Sequence, residues 1–279
     1  MTANAQQREQ WAREGEHWVR EAERFDAMND AFGRAMLDAA QLERGHRVLD
    51  VGCGNGATTL QAAASVSPGG GALGVDISVP MLTLARKRAA EGHADGAEFL
   101  DADAQVHDFG EASFDRVVSR FGTMFFDDPE AAFANLHRAT KPGGRLAIVC
   151  WQDVLASEWS AVPGGAAAAH LGFPDFGKPG SPGPYGLSDP DRLRQVVSSG
   201  GFANLEVEAV TCPMRMGDDP DDVVSFFTSL DIVSLWFAEH PEEKVAAAVA
   251  DVREALAPFA SSDGVVMSGS AWLASAERT

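Results

Sequence analysis

The sequence has few cysteines, and they lie far apart. Its 279 residues include Cys53, Cys150 and Cys212. An odd number of widely spaced cysteines does not make a disulfide framework and is typical of a reduced intracellular protein. The chain also lacks a Cys-x-x-Cys pair and a clustered set of His and Cys, so we expect no metal site.

Positive charge is scarce, and long apolar runs are missing. Lys and Arg number 22 against 41 Asp and Glu, which gives a net charge of -19. Such a surface repels phosphate backbones and anionic lipids, so we expect neither nucleic acid nor membrane as a primary partner. The longest apolar runs have the length of strands, and the N-terminus has no apolar signal region. These absences predict a cytoplasmic protein. We also expect a small-molecule substrate and a monomer or a homodimer.

Short apolar runs alternate with segments of helical composition through the first half of the chain. We predict strands at 48–51, 72–75, 97–100, 114–119 and 145–150, with helices at 57–64, 80–90 and 129–139. Strands that are apolar on both faces and alternate with helices indicate a parallel sheet covered on both sides. With two further strands at 205–212 and 264–275, the prediction is a doubly wound, mostly parallel seven-stranded α/β fold.

The segments outside this core are predicted to cover it. Residues 5–40 have apolar side chains at helical spacing and predict one helix, within an N-terminal helical lid of residues 1–44. The core then comprises 45–212 and 263–279, with an irregular Pro/Gly-rich insert at 151–187 that holds one short helix near Ala166. Residues 213–262, with helices predicted at 220–240 and 242–257, would form a helical cap over the substrate.

The segment VLDVGCGNG, residues 48–56, is the most informative part of the chain. A strand with an acid near its end is followed by Gly52, Gly54 and Gly56. Glycine permits tight turns and lets backbone approach a ligand closely. Ligands of open α/β sheets bind at the carboxyl ends of the strands, and the second strand ends in Asp76. Because one carboxylate can accept both hydroxyls of a ribose, the pattern predicts a nucleoside site.

Two features of the glycine turn separate a nucleoside from a dinucleotide. Dinucleotide sites favour G-x-G-x-x-G, with a helix N-terminus facing pyrophosphate, whereas this turn is G-x-G-x-G preceded by Asp50. An acid there suits a ligand that carries an amino group. A short-chain nicotinamide oxidoreductase would also need a Tyr with Lys four residues later, but Tyr185 is the single tyrosine and position 189 is Asp189. That alternative is poorly supported.

Between residues 45 and 151 the chain resembles class I S-adenosylmethionine-dependent methyltransferases. Within that class it is similar to the ubiquinone/menaquinone-biosynthesis C-methyltransferase branch. The resemblance consists of five segments in order, which are VLDVGCGNG, GVDIS (74–78), FLDADAQ (99–105), FDRVVSRFGTMFF (114–126) and LHRATKPGGRLAIVCW (136–151). It implies a Rossmann-like methyltransferase fold and S-adenosyl-L-methionine as cofactor.

The resemblance also implies which residues bind the cofactor. Its methionine part would contact Gly52, Gly54, Ser119 and Arg120, with Asp50 close to the amino group. Asp76 would hold the ribose hydroxyls. The adenine contacts would come from Ile77, Met81, Asp103 and Ala104. Two alternatives stay open: Asp103 could simply cap a short helix that follows it, and Arg120 could pair with a structural carboxylate.

The chemistry of methyl transfer places few demands on the protein. The cofactor carries an electrophilic methyl group, so the protein must bring a nucleophile in line and exclude water, and no catalytic motif is required. His17 is a candidate general base, although an ordinary packed histidine would look the same. The substrate pocket is predicted to include Trp18, Phe25, Phe121, Phe125, Trp151, Tyr185 and Trp236. Such a lining favours an apolar or aromatic metabolite. A non-catalytic S-adenosylmethionine-binding protein is the alternative.

Overall fold

The computed structural model describes residues 3–174 and 180–279. Within them one sheet has the strand order β3-β2-β1-β4-β5-β8-β6, and the short strand β7 pairs with β8. Strands β1 to β5 are parallel, whereas β8 is antiparallel to both β5 and β6. The strands are β1 Arg47–Val51, β2 Gly71–Asp76, β3 Ala97–Asp101, β4 Phe114–Arg120, β5 Thr140–Trp151, β6 Ala203–Gly217, β7 Ala260–Ser261 and β8 Gly264–Glu277. The predicted mostly parallel α/β sheet of seven main strands is confirmed, and the two-residue β7 is an addition.

Helices cover both faces of the sheet because its central strands are apolar on both sides. In β5, residues 146–150 are all fully buried. One core lies under Phe32 and Met36, and the other lies under Phe133 and Leu193. The helices are α1 Ala5–Arg20, α2 Ala22–Ala40, α3 Ala57–Val66, α4 Val79–Glu91, α5 Pro129–Ala139, α6 Glu158–Leu171, α7 Pro190–Ser199, α8 Pro220–Ser229, α9 Asp231–Ala238 and α10 Glu242–Leu256.

The N-terminal segment forms two helices where the sequence predicted one. The chain leaves helical geometry at Glu21, between α1 and α2. The two helices have different partners, since α2 packs on β4, β5 and β6 while α1 packs on α4. The prediction of a single helix over 5–40 was therefore wrong, because the helical periodicity continues across the break and does not show it.

The later segments also differ from the sequence prediction in their details. The insert after β5 holds α6, a helix of 14 residues that packs against α10, although residues 175–179 of the insert lie outside the described residues. The segment predicted as one helix over 220–240 divides at Leu230 into α8 and α9. Strand β6 continues to Gly217, so the helical segment starts at Pro220. The division into lid, core and cap stays a prediction. Over 3–174 and 180–279, no helix has the length and apolarity that crossing a membrane requires.

Candidate functional site

A cavity of ≈ 340 Å³ lies at the carboxyl ends of the parallel strands. This is the edge where open α/β sheets bind ligands. Its floor comes from the loops after β1, β2, β3 and β4, and α1 and α2 contribute walls. The predicted cofactor residues that line it are Gly52, Gly54, Asp76, Ile77, Met81, Asp103, Ala104 and Arg120. The topology therefore brings eight of the ten predicted cofactor residues to one site.

The glycine turn after β1 packs directly on the loop after β4. Gly52 has φ +68°, and a Cβ there would lie 2.7 Å from the Cα of Gly122, so only glycine fits this position. Ser119 Oγ donates a hydrogen bond to the Val51 carbonyl at 2.6 Å and accepts one from the Gly122 N–H at 3.2 Å. Ser119 is fully buried behind the cavity wall. Ser119 joins the two loops and is not among the residues that line the cavity, and its predicted place beside the cofactor stays a prediction.

Asp76 is held in a fixed orientation at the end of β2. Its Oδ1 accepts a hydrogen bond from the Ser78 N–H and its Oδ2 accepts one from the Gly54 N–H, both at 2.8 Å. Burial raises the pKa of this carboxyl, and the backbone hydrogen bonds lower it in part. The Ile77 N–H is a third backbone group that acts on this carboxylate. A carboxylate has about four acceptor sites, so it can still accept a hydrogen bond from a ligand in the cavity.

Asp50 lies one layer behind the cavity and does not line it. Its side chain points toward α3, where Oδ2 accepts a hydrogen bond from Thr59 Oγ1 at 2.6 Å. Oδ1 has no hydrogen-bond partner among residues 3–174 and 180–279. Burial raises the pKa of Asp50 to about 6. Alternation along β1 directs this side chain toward α3, and its predicted place close to the amino group of the cofactor stays a prediction.

Arg120 has the structural carboxylate partner that was one of its two alternatives, and its place beside the methionine part of the cofactor stays a prediction. Its guanidinium pairs with Asp26 of α2 at 3.6 Å and still lines the cavity. Its side chain reaches α2 at Gly33, where any larger residue would meet it. Asp26 also accepts a hydrogen bond from Arg88 of α4 at 2.7 Å. Sequence reasoning missed Asp26, because nothing within α2 indicates that its partners lie 62 and 94 positions later.

Asp103 has a local structural role and also lies at the cavity, where its contact with the adenine stays a prediction. Its Oδ1 accepts a hydrogen bond from the Gln105 N–H at 2.9 Å, as in a capped turn, and the residue lines the cavity. The same oxygen accepts a second bond, from Asn4 Nδ2 at 2.8 Å. Asn4 was not among the predicted site residues, since no local pattern connects it to a loop 99 positions away.

Helix α1 crosses the open edge of the sheet strand by strand. At its start, Asn4 bonds to Asp103 in the loop after β3. Further along, the Trp11 carbonyl accepts a bond from Ser78 Oγ after β2, at 3.0 Å. Near its end, the Trp18 carbonyl accepts one from Asn55 Nδ2 after β1, also at 3.0 Å. Because β3, β2 and β1 are neighbours in that order, α1 forms a roof along this part of the cavity.

Five of the seven predicted substrate residues line the cavity, and they form two stacked pairs and an edge contact. The rings of Trp18 and Phe25 stack with centroids 3.8 Å apart, and those of Phe121 and Trp151 stack at the same distance. Phe125 meets Trp11 edge to face. Beside these five residues and Met81, the methionine, tryptophan and phenylalanine residues that line the cavity are Trp11, Met28, Met124, Phe126, Trp159, Met214 and Phe226.

Two predicted substrate residues lie elsewhere. Trp236 is 5% exposed and packs on Phe237 inside the helical segment, because its face of α9 turns inward. Tyr185 is half-buried beside Pro184, and only Pro184 reaches the cavity. Burial raises the pKa of the Tyr185 hydroxyl. Both predictions rested on aromatic character alone, which does not distinguish a core position from a pocket wall.

His17 lines the cavity on the inner side of α1. Its ring stands edge to face with Phe25, and its buried Nε2 has no hydrogen-bond partner in the described part of the chain. Burial and the nearby Arg20 lower its pKa, while Glu21 and Asp231 oppose the shift. A neutral imidazole nitrogen is therefore available to a ligand.

The polar lining fits a ligand that donates hydrogen bonds and carries positive charge. Gln7 Oε1, Asn29 Oδ1 and Asn55 Oδ1 are buried acceptors on cavity-lining residues, and the described residues offer them no donor. Unpaired buried acceptors cost free energy unless a ligand supplies donors. Acidic lining residues outnumber the one arginine. S-adenosylmethionine has an adenine amino group, two ribose hydroxyls, an ammonium group and a cationic sulfur, so the donor set and the charge both fit. No group of three or more His, Cys, Asp or Glu in 3–174 and 180–279 could hold a metal ion.

The cavity thus has a lining that fits a nucleoside cofactor, and it lies on a doubly wound α/β fold. Comparison with known proteins finds similar chains. Residues 49–148 match the family described as "Methyltransferase domain". Over 135 residues the chain is 31% identical to the ubiquinone/menaquinone biosynthesis C-methyltransferase of Pasteurella multocida, covering 45% of this chain and 50% of that protein. It is 28% identical over 240 residues to the nocamycin O-methyltransferase of Saccharothrix syringae, covering 79% and 81%.

A solved structure shows the same fold. Haemonchus contortus phosphoethanolamine N-methyltransferase 2, in complex with S-adenosyl-L-methionine, superimposes with a TM-score of 0.53 at 21% identity, over 89% of this chain and 53% of that one. The chain spans about half the length of most of the curated relatives that it matches first. The prediction of a methyltransferase domain is confirmed over residues 49–148.

Proposed function

We propose that this protein transfers the methyl group of S-adenosylmethionine to a small apolar or aromatic metabolite. The observation that carries the proposal is the fixed carboxylate of Asp76 beside the glycine turn, in a cavity whose unpaired acceptors match the donors of that cofactor. When bound, the cofactor supplies an electrophilic methyl group. Relatives named as C- and O-methyltransferases support both carbon and oxygen as acceptor atoms.

In this proposal the residues of the chain bind and orient the two reactants. Asp76 holds the ribose, Asp103 and Ala104 face the adenine, Ile77 and Met81 pack against it, and Arg120 lies beside the methionine part. The aromatic walls hold the substrate on the other side of the methyl group, and α1 keeps water out. Such positioning can contribute about 7–11 kcal/mol to lowering the barrier without covalent catalysis.

His17 is proposed as the proton acceptor when the nucleophile is a hydroxyl. Its unpaired Nε2 and its lowered pKa favour a neutral base on the cavity wall. A general base is useful for a protonated nucleophile and unnecessary for an electron-rich carbon.

Two measurements test the proposed function. Calorimetry should show saturable binding of S-adenosylmethionine and S-adenosylhomocysteine and none of a nicotinamide dinucleotide. Mass spectrometry of a panel of aromatic and cyclic metabolites should then find a product heavier by one methylene. Binding without any product across the panel would favour a non-catalytic binding protein, and binding of the dinucleotide alone would contradict the proposal.

We also propose a cytoplasmic location and a monomeric or homodimeric state. Three separate free cysteines support the location, and a net charge of -19 argues against nucleic acid as a partner. Light scattering coupled to size exclusion would measure the oligomeric state directly.

A further inference from the structure

Asn4 is a buried polar residue that joins α1 to the adenine end of the cavity. It is 4% exposed and adopts a left-handed conformation with φ 50° at the start of the helix. Its Nδ2 donates to Asp103 Oδ1 at 2.8 Å and to Gln105 Oε1 at 3.2 Å. Its Oδ1 accepts from the Asp127 N–H at 2.7 Å, and its own N–H donates to Asp127 Oδ2 at 2.6 Å. The side chain of Asn4 is therefore bonded at both ends.

These bonds orient Asp103. Its Oδ1 is held by Asn4 from one side and by the Gln105 N–H from the other. Over the described residues, the bonds to this carboxylate end on Oδ1, which leaves Oδ2 for a ligand. Asp103 and Asn4 both line the cavity. The position of this acceptor thus depends on a residue that α1 brings with it.

The contacts of α1 with Ser78 and Asn55 differ in kind from the contact at Asn4. Ser78 and Asn55 bond to main-chain carbonyls of α1, at Trp11 and Trp18, so the identity of those side chains matters little for these bonds. At Asn4 the side chain itself makes the contact. A carboxylate in its place would stand between Asp103 and Asp127 and would repel both.

We propose that Asn4 is a positioning residue that aims Asp103 at the exocyclic amino group of the cofactor's adenine. Because Asn4 lies at the start of α1, the closure of α1 over the cavity also places Asp103 for binding the purine. This inference rests on the proposed function and adds a specificity-determining residue to it.

The test compares two ligands that differ at C6 of the purine ring. S-adenosylhomocysteine has an amino group there, and S-inosylhomocysteine has a carbonyl. Asn4→Gly removes the side chain, suits the left-handed backbone and keeps the main-chain bond to Asp127. We expect this substitution to weaken the binding of S-adenosylhomocysteine roughly 10-fold, which is the effect of one hydrogen bond to a charged group. The binding of S-inosylhomocysteine should not change. Asn4→Asp should weaken the adenosine ligand at least as much.

A matched control lies one turn further along the same helix. Arg8 pairs with Asp101 at 3.0 Å, and both side chains are about half exposed, so Arg8→Ala should change neither dissociation constant. Equal weakening of both ligands by Asn4→Gly, or no weakening of either, would overturn the role assigned to Asn4. A wild-type protein that binds neither ligand would overturn the proposed function, and this role with it. Thermal unfolding of each variant shows that the compared proteins are folded.

Discussion

The carboxylate of Asp76 accepts a hydrogen bond from the backbone N–H of Gly54 at 2.8 Å, which joins the end of β2 to the glycine turn after β1. This bond fixes the carboxylate where it meets the cavity and shapes the turn that the cofactor is proposed to contact. The glycine turn and Asp76, which together predicted a nucleoside site from the sequence, are thus joined by a hydrogen bond.

Replacing Asp76 should weaken the binding of cofactor. Asp76→Ala removes a charged acceptor of the ribose hydroxyls, which should cost about 1.5–3 kcal/mol of binding free energy. Calorimetry with S-adenosylhomocysteine measures the loss. Asp101→Ala is the matched control, because Asp101 occupies the paired position on β3 and is not among the residues lining the cavity. Equal dissociation constants for the wild type and Asp76→Ala would contradict the assignment.

The stability of the protein should depend on the ionisation of Asp50. Its pKa of about 6 in the folded protein exceeds the ordinary 3.8, so folding favours the protonated form. Stability should therefore fall as pH rises from about 4 to about 6 and the loss should persist above pH 6. Two pKa units correspond to about 3 kcal/mol at most.

Asp50→Asn isolates this effect because the amide is neutral at every pH. The variant should be more stable than the wild type at pH 7.5, and the difference should shrink toward pH 4. Thermal unfolding of both proteins across this range checks the prediction. A difference that does not vary with pH would show that Asp50 is not responsible.

Helix α1 should gain hydrogen-exchange protection when S-adenosylhomocysteine binds. It contacts the three loops around the cavity, whereas α2 is packed on the sheet with or without ligand. A ligand favours the closed state that it contacts. Hydrogen exchange of residues 5–20 should therefore slow when the ligand binds, and exchange of residues 22–40 should change little.

Trp18→Ala tests the same roof through substrate binding and turnover. Loss of the Trp18–Phe25 stack should reduce turnover or substrate binding more than it reduces the melting temperature. Trp236→Ala is the control, since Trp236 is buried outside the cavity and should cost about 3–5 kcal/mol of stability with the cofactor affinity unchanged. Identical exchange in α1 with and without ligand, together with a Trp18→Ala effect on stability alone, would leave α1 as a structural helix.

Gly15 allows α1 to approach α4 closely. A Cβ on Gly15 would collide with Ser78 Oγ and touch Pro80, next to the loop that carries Asp76. Gly15→Ala should therefore weaken cofactor binding, although alanine is the better helix former by about 1 kcal/mol. Gly165→Ala in α6 is the control, because a Cβ there meets nothing within 4 Å and should stabilise the fold by about that amount. Calorimetry measures the cofactor affinity of each variant, and thermal unfolding measures its stability. Gly15→Ala should bind the cofactor more weakly than the wild type, whereas Gly165→Ala should raise the melting temperature.

His17→Asn should lower kcat for a hydroxyl substrate by about 10²–10⁴-fold if His17 accepts its proton, with a smaller change in KM. Burial and Arg20 lower the pKa of His17 below 6.5, and Glu21 and Asp231 oppose the shift. The wild-type kcat should therefore be constant above pH 6.5 and should fall as the pH drops through the lowered pKa. Measuring the pH profile of kcat for both proteins tests this. If the only accepted substrates are methylated at carbon and His17→Asn retains full activity, His17 is a packing residue.

The sequence determined the central sheet and the cofactor end of the site. The alternation of apolar strands with helices follows from local patterns, and Gly52, Gly54 and Asp76 stand directly at the ends of two of those strands, where a motif in the sequence can be recognised. Helix α5 was predicted with both of its ends correct, because Pro129 starts it and the Lys141-Pro142-Gly143 run follows it.

Only the tertiary structure decided which side chains face the cavity. Asp50 and Ser119 lie within well-predicted strands, yet strand alternation and loop packing turn both behind the wall. The break at Glu21 gives α1 and α2 different partners, and that places Asn4 on Asp103 and Asp26 on Arg120 across 99 and 94 positions of chain. Contacts between residues so far apart leave no periodic or compositional signal in one sequence, because they are fixed by how whole elements pack.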